Sequence, residues 1–144
     1  MCDDNNFAQL NQGEIMFDWN SFVILGYLLL MEDGEEYVRS AISRQYYGLF
    51  GVLRRYLINV DYVVDLRSRK GDVHGKVFDE LKYSEDITLK EISKVFNKLR
   101  VARNQADYDG EYDISHFEKF LQDNQKDLEM AFGTIDYLKS HPNY

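Results

Sequence analysis

Leu99-Arg100-Val101-Ala102-Arg103-Asn104-Gln105-Ala106-Asp107-Tyr108-Asp109 closes an amphipathic helix and gathers four polar groups into its last turns. Arg103, Asn104, Asp107 and Tyr108 fall within about one and a half turns of 3.6 residues each. Upstream, Ile92, Val95, Phe96, Leu99 and Ala102 repeat at helical spacing and form a core stripe. Arg103 adjoins that stripe, so it points toward a groove between helices. Arg103 and Asp107 are four residues apart and share a face. Two readings stand side by side: an ion pair worth a few tenths of a kcal/mol, or a groove that clamps phosphate. The segment contains no histidine.

Outward from this segment the chain reads as helices. An apolar run from Phe22 to Met31 lies within a helix expected over 18–31. It is apolar around its circumference, which suggests a central position, and it is too short to span a bilayer. Asp33-Gly34-Glu35-Glu36 breaks and restarts the chain, with Asp33 as a candidate cap and acids at the positive helix end. The next helix, over 35–58, carries Val38, Ile42, Leu49, Leu53 and Leu57 on one face. Ala41, Gly48 and Gly51 beside that face permit close helix approach, since a mid-helix glycine costs up to about 1 kcal/mol and implies a packing reason. Residues 61–73 read as an exposed basic loop holding Arg67, Arg69 and Lys70, and a short helix follows over 73–82. Thr88-Leu89-Lys90-Glu91 and Ser115-His116-Phe117-Glu118 read as capping boxes opening two further helices, the last over 115–139. The sum is an all-α, antiparallel bundle of four to five helices over 17–140, preceded by a loose acidic arm over 1–16.

Length, at 144 residues, supports a single domain with a real core. The net charge of -8 argues against a general nucleic-acid binder, but the charge is unevenly spread. Residues 1–38 carry eight acids and no Lys or Arg, residues 39–104 sum to +6, and residues 105–144 sum to -6. The basic middle can either meet phosphate locally or simply solvate helix faces. Cys2 is the lone cysteine and the first basic residue is Arg39, so no internal disulfide and no signal peptide are expected, and a cytoplasmic setting fits.

Ser43-Arg44-Gln45-Tyr46-Tyr47 places two adjacent tyrosines about 100° apart on a helix, one for the core and one for an edge. His74, His116 and His141 are scattered, without partners at metal-ligand spacing, so no metal or cofactor is expected. His74 lies beside the basic loop and is either a phosphate contact or a solvated loop residue. Phosphate-binding glycine loops, nucleophile elbows and His-Glu-x-x-His are absent from the sequence.

Three segments together resemble the HEPN superfamily (higher eukaryotes and prokaryotes nucleotide-binding domain), closest to its small single-domain prokaryotic branch. Ser40 to Phe50 resembles the Ser-Arg-x-Tyr-Tyr-x-x-Phe helix, Gly71 to Phe78 its loop histidine and short helix, and Leu99 to Asp109 its Arg-x-x-Ala-Asp-Tyr ending. The resemblance implies a dimerising bundle with two copies of the Arg103 segment across a shared cleft. Many such proteins are metal-independent RNases of toxin–antitoxin, phage-defence and CRISPR systems; others bind nucleotides or partner minimal nucleotidyltransferases. It assigns phosphate or nucleotide contacts to Arg44, Tyr47, His74, Arg103 and Asn104, and candidate catalytic roles to Arg103, Asp107 and Tyr108. The RNase motif runs Arg, polar, three residues, His; here the His position is Tyr108.

That departure has a chemical cost. Cleavage needs the 2′-hydroxyl activated and the leaving oxygen protonated. Histidine titrates near 6.5, whereas a free tyrosine titrates near 10, and a carboxylate beside an arginine is held ionised. The expectation is therefore a subunit of a prokaryotic defence or toxin–antitoxin module that binds RNA or nucleotide phosphate, or a partner protein. The alternative is an active endoribonuclease using Arg103 with Tyr108, Asp107 or His74. Nucleotidyl transfer onto Tyr108 or Tyr47 and a purely structural dimer are the remaining readings.

Overall fold

The computed structural model of the chain describes residues 16–68 and 70–144. The expected arm, apart from Met16, and Arg69 of the basic loop lie outside the described residues. The described residues form an all-helical bundle: α1 (Asn20–Leu29), α2 (Glu35–Asn59), a 3-10 turn (Val64–Arg67), α3 (Val73–Lys82), α4 (Ile87–Tyr108), α5 (Ile114–Asp123), α6 (Gln125–Gly133) and α7 (Ile135–Lys139). Among them no helix is long and apolar enough to cross a membrane.

The central element is α2, which packs on α1, α3, α4, α5, α7 and the 3-10 turn. Val38, Ile42, Tyr46, Leu49, Leu53 and Leu57 are buried along its length, following the expected stripe. Burying such a side chain stabilises by roughly 1.5–3 kcal/mol. The central position expected for the 18–31 segment is corrected. Only Val23 and Gly26 of α1 are buried, while Ile24, Leu25, Leu28 and the following Met31 face outward. The helix meets the bundle through a single narrow seam, so its other apolar residues stay outside.

Glycine makes that seam. A Cβ on Gly48 would lie 2.6 Å from Val23 Cγ2 and 2.9 Å from the Trp19 carbonyl, and one on Gly51 would enter the Trp19 indole. A Cβ on Gly26 would meet Gln45 Cγ at 2.5 Å. The pairs 19–51, 23–48 and 26–45 run in opposite senses, so α1 and α2 are antiparallel.

The helix starts differ from the expected boxes. Asp86, not Thr88, caps α4, accepting from Thr88 N at 2.8 Å. Asp113, not Ser115, caps α5, accepting from His116 N at 3.2 Å and from Ser115 Oγ at 2.6 Å. Gly34, at φ 138°, occupies the cap before α2, with no side-chain cap from Asp33. For α4 and α5 an aspartate two positions earlier reaches the free N–H groups.

The single helix expected over 115–139 is three. Asn124 Nδ2 donates to Phe120 O at 2.9 Å and Thr134 Oγ1 donates to Ala131 O at 2.7 Å. Side chains that bond the preceding turn's carbonyls bend a helix, and the breaks fall at these two residues. The loop over 61–73 is also more structured than expected. Leu66 is fully buried, and Arg54 ties the turn down by donating from Nε to Leu66 O at 2.7 Å.

Gly48→Ala is expected to lower stability by about 1–3 kcal/mol through overpacking, although alanine is the better helix former. Gly133→Ala, where an added Cβ meets nothing within 4 Å, is expected to leave stability unchanged or raise it by about 0.4–1 kcal/mol. Urea unfolding of both variants measures the contrast; equal effects would contradict the seam.

Candidate functional site

The last turn of α4 is fixed from outside by Arg39 of α2. Arg39 Nη1 donates to Gln105 O at 3.2 Å, Ala106 O at 2.9 Å and Asp109 O at 3.0 Å, and Nη2 donates to Tyr112 O. Its guanidinium lies over the Phe117 ring. Ala106 O is among the carbonyls a helix leaves unpaired at its C-terminus, and the bonds to Asp109 O and Tyr112 O fix the turn that follows; a cation there also complements the helix dipole. Arg39 thus sets where Arg103, Asp107 and Tyr108 stand.

Arg103 is buried, only 6% exposed. Its Cζ lies 5.0 Å from the Tyr46 ring centre and 5.0 Å from that of Tyr47, both on α2. Its Nη1 is 3.8 Å from Asp107 Oδ2, and Nε has no hydrogen-bond partner among the described residues. Asp107 Oδ2 also accepts from Ser43 Oγ at 3.2 Å. Tyr108 is 79% exposed, with its ring 6.0 Å from Arg103 Cζ. The expected Arg103–Asp107 pair forms, but loosely, and it leaves the guanidinium with donors to spare.

The other expected residues converge on the same seam with one exception. Of the two tyrosines, Tyr46 is fully buried and Tyr47 half-buried. Arg44 lies over Tyr47 at 5.4 Å and over Phe22 of α1 at 4.7 Å. His74, at the start of α3, stacks on Phe50 at 4.2 Å and meets Tyr46 Oη through Nδ1 at 2.6 Å. It is not a solvated loop residue. Asn104 is the exception: it is exposed on α4, because one residue step turns it about 100° away from Arg103.

Three participants escape a reading of the sequence. Tyr46 joins Arg103 to His74. Arg100, one turn before Arg103, bonds Asp72 through Nη2 at 3.3 and 3.2 Å. Asp72 in turn caps α3, accepting from Gly75 N at 2.9 Å, and so orients the turn that carries His74. The spacing of Arg100 and Arg103 on one helix is the only sequence signal for this second contact.

Burial and two arginines set the proton affinities. Burial pushes the Tyr46 phenol well above its ordinary value, opposed mainly by the nearby Arg103 charge, so it stays neutral. Burial, then Arg103 and Arg100, lower the His74 pKa, with Asp72 acting the other way. Asp72 is held below the usual carboxylate value chiefly by the Gly75 N–H. The arrangement offers a fixed cation, a neutral phenol and an imidazole that is neutral at pH 7. Among the described residues, no group of three or more His, Cys, Asp or Glu is arranged to hold a metal ion.

No protein-family model, curated protein or solved structure matches this chain.

The lowered His74 pKa ties stability to pH. Above the unfolded-state value of about 6.5 the ring is neutral in both states. As pH falls below that value the unfolded chain takes the proton first, so stability declines until the folded-state pKa is passed. Urea unfolding at stepped pH should show this decline in the wild-type chain and its absence in His74→Phe. An identical decline in both would remove His74 as its source.

Proposed function

We propose that this chain is a HEPN-type helical subunit of a prokaryotic defence or toxin–antitoxin module, working as a homodimer that binds RNA or nucleotide phosphate at the Arg103 cluster. A protein partner, such as a minimal nucleotidyltransferase or another defence-system subunit, engages the same module. The observation that carries the reading is Arg103: a buried guanidinium with an unpartnered Nε and a carboxylate no closer than 3.8 Å. A buried cation whose donors are only partly met is costly, and a phosphate matches its planar fork in both charge and geometry. The three segments that carry the family resemblance also meet at this point, through Tyr46 and Tyr47, His74, and Arg103 with Asp107.

The homodimer reading draws support from α1. Among the described residues nothing covers Ile24, Leu25, Leu28 and Met31, an apolar strip of the kind that marks association surfaces.

With Tyr108 at the position of the family's histidine, the purified protein is expected to bind RNA without cutting it. Arg103→Ala should weaken binding about tenfold to a hundredfold, the range for a charge-assisted hydrogen bond. Arg103→Lys should recover only part of that loss, since lysine lacks the fork. Titration of labelled RNA by anisotropy, at stated salt, measures both.

The active-endoribonuclease alternative has one observation in its favour: His74 stands at the cluster in a neutral state, bonded to Tyr46 at 2.6 Å. It predicts cyclic-phosphate ends and toxicity on expression. RNA cleavage by wild type, abolished in Arg103→Ala, would replace the binding reading with this one.

A further inference from the structure

Beside the Arg103 cluster lies a cleft of about 460 Å³ between the segment that leads into α1, α2 and the start of α3. Its walls include Trp19, Tyr47, Phe50, Ile58, Asn59 and His74. The volume falls within the roughly 300–1,000 Å³ of small-molecule sites. Two of these residues also belong to the phosphate cluster: the Tyr47 ring is 5.0 Å from Arg103 Cζ, and His74 bonds Tyr46. The cleft and the cluster therefore share a wall, separated by one aromatic ring.

We propose that this cleft receives the base of the nucleotide whose phosphate Arg103 holds. The inference rests on the phosphate reading of the Arg103 cluster and adds to it the site that distinguishes a nucleotide from a bare phosphate.

The chemistry of the walls selects the occupant. Flat aromatic rings present π-faces on which any base stacks, independent of sequence. Phe50 and His74 are themselves already stacked, at 4.2 Å and 21° between planes, which extends one such face toward the cluster. Asn59 supplies the polar edge. Its Nδ2 donates to Tyr144 O at 3.1 Å, which turns Oδ1 into the acceptor for a base amino group. Arg55, which also lines the cleft, donates from Nε to the same Tyr144 oxygen and lies over the Tyr144 ring at 4.3 Å. An aromatic wall that ends at the Tyr47 ring, with the Arg103 guanidinium on that ring's far side, matches a base carried on a phosphate.

Trp19 is the single tryptophan of the chain and lines the cleft, so its fluorescence reports occupancy directly. Full-length protein is titrated with AMP, with ribose 5-phosphate and with a pentaadenylate RNA, following Trp19 emission and heat of binding. AMP is expected to quench Trp19 and to bind at least about tenfold more tightly than ribose 5-phosphate, the low end for one base stack. Phe50→Leu, which keeps apolar volume and removes the ring, should lower AMP affinity about tenfold and leave ribose 5-phosphate affinity unchanged. Its thermal melt verifies folding. Should Phe50→Leu fail to fold, the AMP to ribose 5-phosphate ratio of the wild-type chain decides alone. A pentaadenylate that binds more tightly than AMP assigns the base to an RNA strand, and equal affinities assign it to a free nucleotide; both keep the base in the cleft. Ribose 5-phosphate binding as tightly as AMP, with loss in Arg103→Ala, would overturn the base site and leave the phosphate reading standing. Binding of none of the three would overturn both.

Discussion

A guanidinium sealed between two helices organises this molecule. Arg103 sits at the crossing of α4 with α2, against the faces of Tyr46 and Tyr47. Removing a charge from water costs several kcal/mol unless it is compensated. The ring faces provide part of that compensation, since their negative quadrupole attracts a cation. Asp107 provides another part, held in place by Ser43. The remaining deficit, at Nε, is what makes the seam a candidate for an anion and not merely a core contact.

The surrounding architecture serves that seam. Arg39 ties down the carbonyls at the end of α4, which keeps Asp107 and Tyr108 beside Arg103. On the other side Arg100 holds Asp72, and Asp72 caps the helix that delivers His74 to Tyr46. Glycine contacts bring α1 close enough to α2 for Trp19 to close on Gly51 and wall the neighbouring cleft. Three arginines from two helices therefore do different work. One caps, one braces, and one is left with unused donors.

Much of the fold was legible because helical spacing is a local property. The stripes of α2 and α4 could be read from apolar residues at intervals of three and four, and α3 over 73–82 likewise. The failures have local physical causes as well. Apolar residues around all of α1 looked like burial, but a ten-residue helix with one glycine seam buries only that seam. The helix expected over 115–139 runs through Asn124 and Thr134, whose bonds to the preceding turn divide it into three helices. Long-range partners were the least legible. Nothing near Asp72 in sequence announces Arg100, and nothing near Tyr46 announces His74, because those contacts arise only once α2, α3 and α4 are packed. The pairing of Arg103 with Asp107 was legible; its looseness was not.

The central claim is that Arg103 has capacity for an anion that the fold itself does not use. Side-chain ¹⁵N NMR of the arginine Nε–H groups, assigned through Arg103→Lys, observes that capacity at the atom concerned. The account predicts a slowly exchanging Arg103 Nε–H signal in the free protein, because the group is buried. It further predicts that this signal shifts, saturably, when a phosphate-bearing nucleotide is added, while the Arg39 signal stays fixed. An Arg103 signal that does not move at saturating nucleotide would contradict the account and leave the guanidinium as a structural cation of the α2–α4 seam.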